Sequence, residues 1–223
     1  MKQYFITATD TDAGKTHFSC AFIRALVKSG KSVAAYKPVS AGCYWEDGQL
    51  INEDARLLLN ESNCGQTIKQ VNPIAFEAPI APHIAAKKAN INLSVNDCVI
   101  AYQQIVNIAP DIIVTEGAGG WRLPLGNHEF LSSFAVKTNQ QVIMIVNMKL
   151  GCLNHALLTY EAIKNDQLNC IGWIANCQTT MSYLAENIDE LTSILPSPLL
   201  AIFNENEEIE SAANKINLSL LPI

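Results

Sequence analysis

The chain has no apolar run long enough to span a bilayer, so no membrane-spanning segment is expected. It also has no cluster of lysine and arginine. Fifteen basic residues stand against 21 acidic ones, a formal net charge of −6, which argues against a nucleic-acid surface as the main function. No Cys-x-x-Cys pair occurs. The seven cysteines (Cys20, Cys43, Cys64, Cys98, Cys152, Cys170 and Cys177) are odd in number, which reads as reduced, packing thiols in a cytoplasmic enzyme. The four histidines, His17, His83, His128 and His155, are scattered without ligand spacing, which argues against a structural zinc site. Internal repeats and low-complexity segments are missing. No signal peptide is expected, because the opening residues run straight into a strand-like stretch.

What is present is apolar and ordered. Hydrophobic residues make up 49% of 223, and mean hydropathy is +0.13. That is enough for a large core, and the simplest expectation is a single domain over residues 1–223.

The most informative stretch is the first. Residues 4–7 read as a short buried strand and residues 17–27 as a helix. Between them lies Thr9-Asp10-Thr11-Asp12-Ala13-Gly14-Lys15-Thr16, a tight loop ending Gly-Lys-Thr. Backbone N–H groups of such a loop and the dipole of the helix behind it converge on one anion-binding spot. Gly14 lets the backbone approach a phosphate, Lys15 reaches its outer oxygens, and the Thr16 hydroxyl suits Mg²⁺. The usual motif has a glycine five residues before Gly14; here that position is Thr9, preceded by Ala8. A plain strand–turn–helix is the alternative.

Further strands are expected at 32–36, 112–115, 141–147, 170–176 and 199–202. Helices are expected from Asn52, from the capping-box-like Ser94/Asp97 start to about residue 109, from about residue 155 to 164, and over 182–195. Pro73, Pro79 and Pro82 mark residues 66–82 as a long loop or set of turns, and 205–223 as a loop plus a short terminal element is expected. The strands are near-continuous in Val, Ile and Ala, which predicts cover on both faces. The fold class is therefore α/β, a doubly wound, mostly parallel sheet with helices on both faces. Lys15, Lys37, Glu116, Lys149 and Asn176 all fall at or just after strand C-terminal ends, the edge where such sheets bind ligands. Lys37 is equally readable as a solvated strand end, and Asp54 as a helix-start acid. The glycines of Glu116-Gly117-Ala118-Gly119-Gly120-Trp121 imply a backbone that comes close to something.

These motifs together resemble the dethiobiotin synthetase family over nearly the whole chain. The matching stretches are 9–16, Tyr-Lys-Pro-Val (36–39), Asp54, Val-Asn-Pro (71–73), Ala-Pro-His (81–83), 116–121, Lys-Leu-Gly-Cys-Leu-Asn-His-Ala (149–156) and Gly-Trp-Ile-Ala-Asn (172–176). The resemblance implies an ATP- and Mg²⁺-dependent ligase acting on 7,8-diaminopelargonic acid and CO₂. A carbamate and a carbamic-phosphoric anhydride precede closure of a cyclic urea, with ADP and phosphate as the other products. It implies Lys15, Lys37 and Thr11 as catalytic residues, and Thr16, Asp54 and Glu116 as metal ligands. Nucleotide contacts are implied for Asp12, Ala13, Gly14, Lys15, Thr16, His17, Asp54, Glu116, Gly117, Ala118, Gly119, Asn176, Cys177, Asn204, Glu205 and Asn206. Asn176 would pair with the adenine edge. Thr11, Lys37 and Ala41 are implied to contact the diamine, and Gly151, Cys152 and Asn154 its distant carboxylate from the partner subunit of a homodimer.

The chain departs from that family at Ala8 (usually glycine), at Ser40-Ala41 (usually serine at 41) and at Ala201-Ile202-Phe203-Asn204 (usually Gly-x-Ile-Pro). Ala8 and Ala41 leave a non-catalytic homologue open. A dimeric switch ATPase of the same fold would carry an extra lysine early in the phosphate loop, which Thr9-Asp10-Thr11 lacks. A glutaminase-linked ligase would need an added domain.

Overall fold

Strand formation follows from the apolar runs, and the turn out of each run sets the helix behind it. The computed structural model describes residues 1–223. It opens with β1 (Lys2–Ala8), α1 (Lys15–Lys28) and β2 (Val33–Tyr36). Next come β3 (Val39–Ser40), a hairpin of β4 (Tyr44–Glu46) and β5 (Gln49–Ile51), α2 (Glu53–Glu61), α3 (Ile68–Val71) and β6 (Ile74–Ala75). Then follow α4 (Pro82–Lys88), α5 (Val95–Val106), β7 (Ile112–Glu116), a second hairpin of β8 (Pro124–Gly126) and β9 (Glu129–Phe130), and α6 (Ser132–Lys137). The last third holds β10 (Gln141–Asn147), α7 (Cys152–Asn165), β11 (Cys170–Asn176), α8 (Leu184–Ile194), β12 (Leu199–Phe203), α9 (Ile209–Lys215) and a 3₁₀ turn at Leu218–Leu220.

The main sheet has six strands in the order β12-β11-β10-β1-β7-β2, all parallel. The chain first builds outward from β1 to β2, fills the gap with β7, then continues on the other side of β1 through β10. That reversal beside β1 leaves a crevice at the strand C-terminal ends, where the phosphate loop emerges.

Side chains alternate across the sheet with a period of two. Tyr4, Ile6, Val33, Ala35, Ile112, Val114, Ile143 and Ile145 join α1, α2 and α9 in one core. Phe5, Ala34, Tyr36, Ile113 and Val142 join α5 and α6 in a second. Met144, Val146, Trp173 and Ala175 pack under α7 and α8. Cover on both faces is what the unbroken Val/Ile runs require.

The residue 66–82 region is not only loop. Thr67 and Gln70 cap a short α3 reciprocally, and β6 pairs with β3. The Ser94/Asp97 capping box is present. Gly151, left-handed at φ 93°, is the N-cap of α7, and Asn154 lies inside its first turn. No helix is long and apolar enough to cross a membrane.

Candidate active site

The phosphate loop wraps tightly between β1 and α1. Asp12 at φ 54° and Gly14 at φ 86° are both left-handed, which turns successive N–H groups toward one side. An aspartate tolerates that conformation, whereas Gly14 is constrained twice. It is left-handed, and a Cβ there would overlap the Asn176 amide. Lys15 is buried and curls back so that Nζ donates to the Asp10 carbonyl at 3.2 Å. Burial pulls the Lys15 ammonium below the usual lysine value, with Glu116 opposing that pull.

The charged centre forms from three elements. Lys37, just past β2, donates from Nζ to Asp54 Oδ2 at 2.8 Å and to Glu116 Oε1 at 2.5 Å. Asp54 sits in the first turn of α2, whose N-cap Asn52 accepts from the Ala55 N–H. Thr16 donates to Glu116 Oε1 at 3.0 Å. Burial lowers Lys37, but Glu116 and Asp54 more than offset it and hold the ammonium above its ordinary value. Burial raises the Asp54 carboxyl, and Lys37 beside it reverses the balance and holds it below the usual range.

Glu116 Oε2 is buried with no hydrogen-bond partner. A partnerless carboxylate oxygen beside a second carboxylate and a hydroxyl is a hard oxygen set, and it fits Mg²⁺. Thr16, Asp54 and Glu116 are the residues that could hold the ion.

These groups line a cleft of about 830 Å³. Of the sequence-derived candidates, Thr11, Asp12, Gly14, Lys15, Thr16, His17, Lys37, Ala41, Asp54, Glu116, Ala118 and Gly119 all reach it. Pro79, Ile80, Ala81 and Pro82 also line the cleft, as does Leu123, and none of them is among the candidates. The prolines mark that stretch as turns, and the resemblance at 81–83 implies no site role, so neither says what the stretch faces. Ser40 also lines the cleft, but its hydroxyl donates to Asn72 Oδ1 at 2.6 Å. It cannot stand in freely for a serine at 41, and Ala41 offers only a methyl group.

Other candidates lie outside the cleft. Asn176 is buried, donating from Nδ2 to the Ala13 carbonyl at 2.8 Å and accepting from Gln178 at 2.9 Å. It braces the phosphate loop, with one N–H and one lone pair left for another partner. Cys177 is buried and pairs its N–H with the Phe203 carbonyl. Asn204, Glu205 and Asn206 form an exposed turn, closed by the Asn204 N–H donating to Glu207. His17 Nε2 donates to the Glu207 carbonyl at 2.6 Å and so joins that turn to the first turn of α1. Gly151, Cys152 and Asn154 are not among the residues that line the cleft. Lys149, one of the strand-end residues, pairs with Asp10 at 2.8 Å.

Comparison with known proteins agrees with this geometry. The family model described as an AAA domain matches residues 2–213. The ATP-dependent dethiobiotin synthetase BioD of Alteromonas mediterranea is 45% identical over 212 residues, covering 90% of this chain and 91% of that protein. The protein of the same name from Pseudomonas aeruginosa (strain LESB58) is 40% identical over 224 residues, covering 100% and 98%. Among solved structures, the septum site-determining protein MinD from Pyrococcus horikoshii, complexed with Mg-ADP, superposes with a TM-score of 0.58 at 16% identity, covering 99% of this chain and 89% of that one. The cell division protein FtsY of Thermotoga maritima gives 0.53 at 15% identity, covering 100% and 69%. At that identity the likeness to those two is one of fold. The similarity to the synthetases extends through sequence, and the chain belongs to the dethiobiotin synthetase family.

Proposed function

We propose that this chain is an ATP-dependent ligase that closes a cyclic urea on 7,8-diaminopelargonic acid with CO₂, giving dethiobiotin, ADP and phosphate. The observation that carries the reading is the convergence of Lys15, Lys37, Thr16, Asp54 and Glu116 on one cleft beside a phosphate loop. Family membership adds the substrate class.

The chemistry brings anions together, and the residues answer that problem. One amine adds to CO₂, forming a C–N bond and releasing a proton, and a carbamate results. A carbamate oxygen then takes the γ-phosphoryl group, with ADP leaving. The second amine attacks the carbonyl carbon of this anhydride, phosphate leaves with the bonding pair, and the ring closes. The carbamate and the γ-phosphate repel each other in the second step. Lys15 on the phosphate side and Lys37 on the substrate side stabilise the charge shared between them. Lys37 stays protonated because two carboxylates face it. Thr16, Asp54 and Glu116 would hold Mg²⁺, which supplies Lewis-acid neutralisation of phosphate charge. Ala118, Gly119 and Leu123 line the cleft together with Pro79–Pro82, and the substrate's aliphatic chain suits such apolar lining.

Asn176 has donor and acceptor capacity for an adenine edge, and the turn at Asn204–Asn206 lies beyond His17 on that side. Gly151, Cys152 and Asn154 are assigned to the substrate carboxylate of a second subunit in a homodimer. The protein, ATP, Mg²⁺, bicarbonate and the diamine are incubated together, and dethiobiotin is sought by mass. Its formation, with ADP released in equal amount, is the expected result. ATP turnover indifferent to the diamine would overturn the reading.

A further inference from the structure

Asp166 is the C-cap of α7. A helix C-terminus carries partial negative charge, so the local dipole repels a carboxylate there. Three donors nevertheless converge on it. Trp121 Nε1 donates to Oδ2 at 2.8 Å, and Arg122 makes a two-pronged contact, Nη1 to Oδ2 at 2.6 Å and Nη2 to Oδ1 at 2.9 Å. Arg122 Nη1 also donates to Ser132 at 3.1 Å, and its guanidinium lies over the Phe130 ring.

Trp121 and Arg122 end the glycine loop that begins at Glu116. Its first residue is fixed by the sheet, the Gly117 N–H donating to the Ile6 carbonyl at 2.9 Å. The loop then folds around Phe5. A Cβ on Gly117 would stand 3.0 Å from the Phe5 ring, and the Trp121 indole meets the same ring edge-on at 5.7 Å. Between the two anchors, Ala118 and Gly119 face the cleft, and Leu123 follows just beyond. Glycines bring conformational freedom that the loop cannot restrain by itself.

Building on the proposed reaction, we infer that Asp166 is a positioning residue: it clamps Trp121 and Arg122 and thereby holds the Ala118–Gly119–Leu123 wall against the substrate side of the cleft. Its hydrogen bonds go to the glycine loop and not to the phosphate loop, so its loss falls more heavily on the diamine than on a nucleotide held by the phosphate loop. A wall displaced by about 1 Å costs on the order of 10²-fold in rate.

The test compares wild type, Asp166→Ala and Asp166→Asn. Dethiobiotin formation is followed against diamine concentration, ADP affinity by calorimetry, and folding by thermal melting. The expected result is a loss of about tenfold to a hundredfold in kcat/KM for the diamine in Asp166→Ala. ADP affinity falls by clearly less than the diamine kcat/KM. Asp166→Asn falls between, because it keeps an oxygen for Trp121 and loses the charge for Arg122. If Asp166→Ala does not fold, Trp121→Phe removes one donor while keeping a ring on Phe5, and the same split is expected in smaller measure. Unchanged diamine kinetics in the folded variant, or ADP affinity lost in step with turnover, overturns the positioning role. A wild-type chain that binds no ADP overturns the reading of the cleft itself, and this inference with it.

Discussion

Lys37 Nζ and Glu116 Oε1 lie 2.5 Å apart, and both side chains are shut off from water. The pair comes from two adjacent strands, β2 and β7, in a register that sets Tyr36 opposite Thr115. Breaking a buried pair from one side leaves the other charge uncompensated, at a cost of about 3–5 kcal/mol. Lys37→Met should therefore lose about that much unfolding free energy in urea. Lys37→Met with Glu116→Gln should lose clearly less than the two singles added together. Additive losses would show that the two groups do not compensate each other.

Chemistry should separate from nucleotide binding at the same lysine. Lys37 lies just past β2, beside the β7 strand that ends in the glycine loop, and off the phosphate loop. Lys37→Gln should lower turnover by about 10²–10³-fold, as removal of one charge-stabilising donor does. Its ATP affinity by calorimetry should stay near wild type. A variant that turns over normally at saturating ATP but binds it weakly would assign Lys37 to the nucleotide instead.

Gly14 and Asn176 make a second linked pair. Gly14→Ala meets both a left-handed backbone and the Asn176 amide. Strained backbone of this kind costs on the order of 1–3 kcal/mol. The variant should melt earlier and lose ADP binding. Adding Asn176→Ala should relieve the overlap but not the backbone conformation, so recovery should be partial. Full recovery would mean that sterics alone require glycine at 14.

Acid stability should carry the signature of Asp54. Its carboxyl ionises below the ordinary range in the folded chain and near about 3.9 when unfolded. Between those values the unfolded state binds more protons, so stability rises with pH across that window and is lost as pH falls through the folded value. Lys37 runs the other way. Its raised folded value keeps its contribution full below the unfolded lysine value of about 10.4, and that contribution is lost as pH rises through the folded value. In urea unfolding at a series of pH values, Asp54→Asn should flatten the acid limb and also weaken the alkaline limb, because Asp54 is one of the two carboxylates that raise Lys37. An acid limb unchanged in Asp54→Asn would remove the shift.

The sequence announces what depends on local pattern. Apolar runs give β1, β7, β10 and β11, and Gly14-Lys15-Thr16 after a strand gives the phosphate loop. Strand-end position gives Lys37 and Glu116 before their contact is visible. The short hairpins, the β3–β6 pair and the Pro79–Pro82 wall are not announced. Two- and three-residue strands carry too few side chains to show a period, and long-range packing fixes them. The Asp166 clamp joins residues 44 and 45 apart in the chain, and no spacing rule connects a helix C-cap to a glycine loop. The Ser40-Ala41 order departs from the family in the sequence, but only the structure shows the Ser40 hydroxyl bound to Asn72.

The last prediction concerns a second chain. Gly151 caps α7, Cys152 and Asn154 lie in its first turn, and none of the three lines the cleft of its own chain. Leu150 is 94% exposed, Leu158 is 57% exposed, and Gly151 has open space around its Cβ position. An unpartnered start of α7 flanked by exposed leucines suits burial against another subunit, and its N-terminal N–H groups suit an anion. The substrate's carboxylate lies far from its two amines, too far for the groups that hold the phosphates to serve both ends. A two-fold dimer sharing each site between chains should therefore run at about twice the 24.4 kDa chain mass in light scattering. Lys15→Ala chains should be inactive alone, and so should chains altered at Asn154. Mixed dimers of the two should recover activity, because one of their two sites keeps both wild-type residues. A fully active monomer would remove the shared site. So would confirmed mixed dimers of two inactive parents that stay inactive.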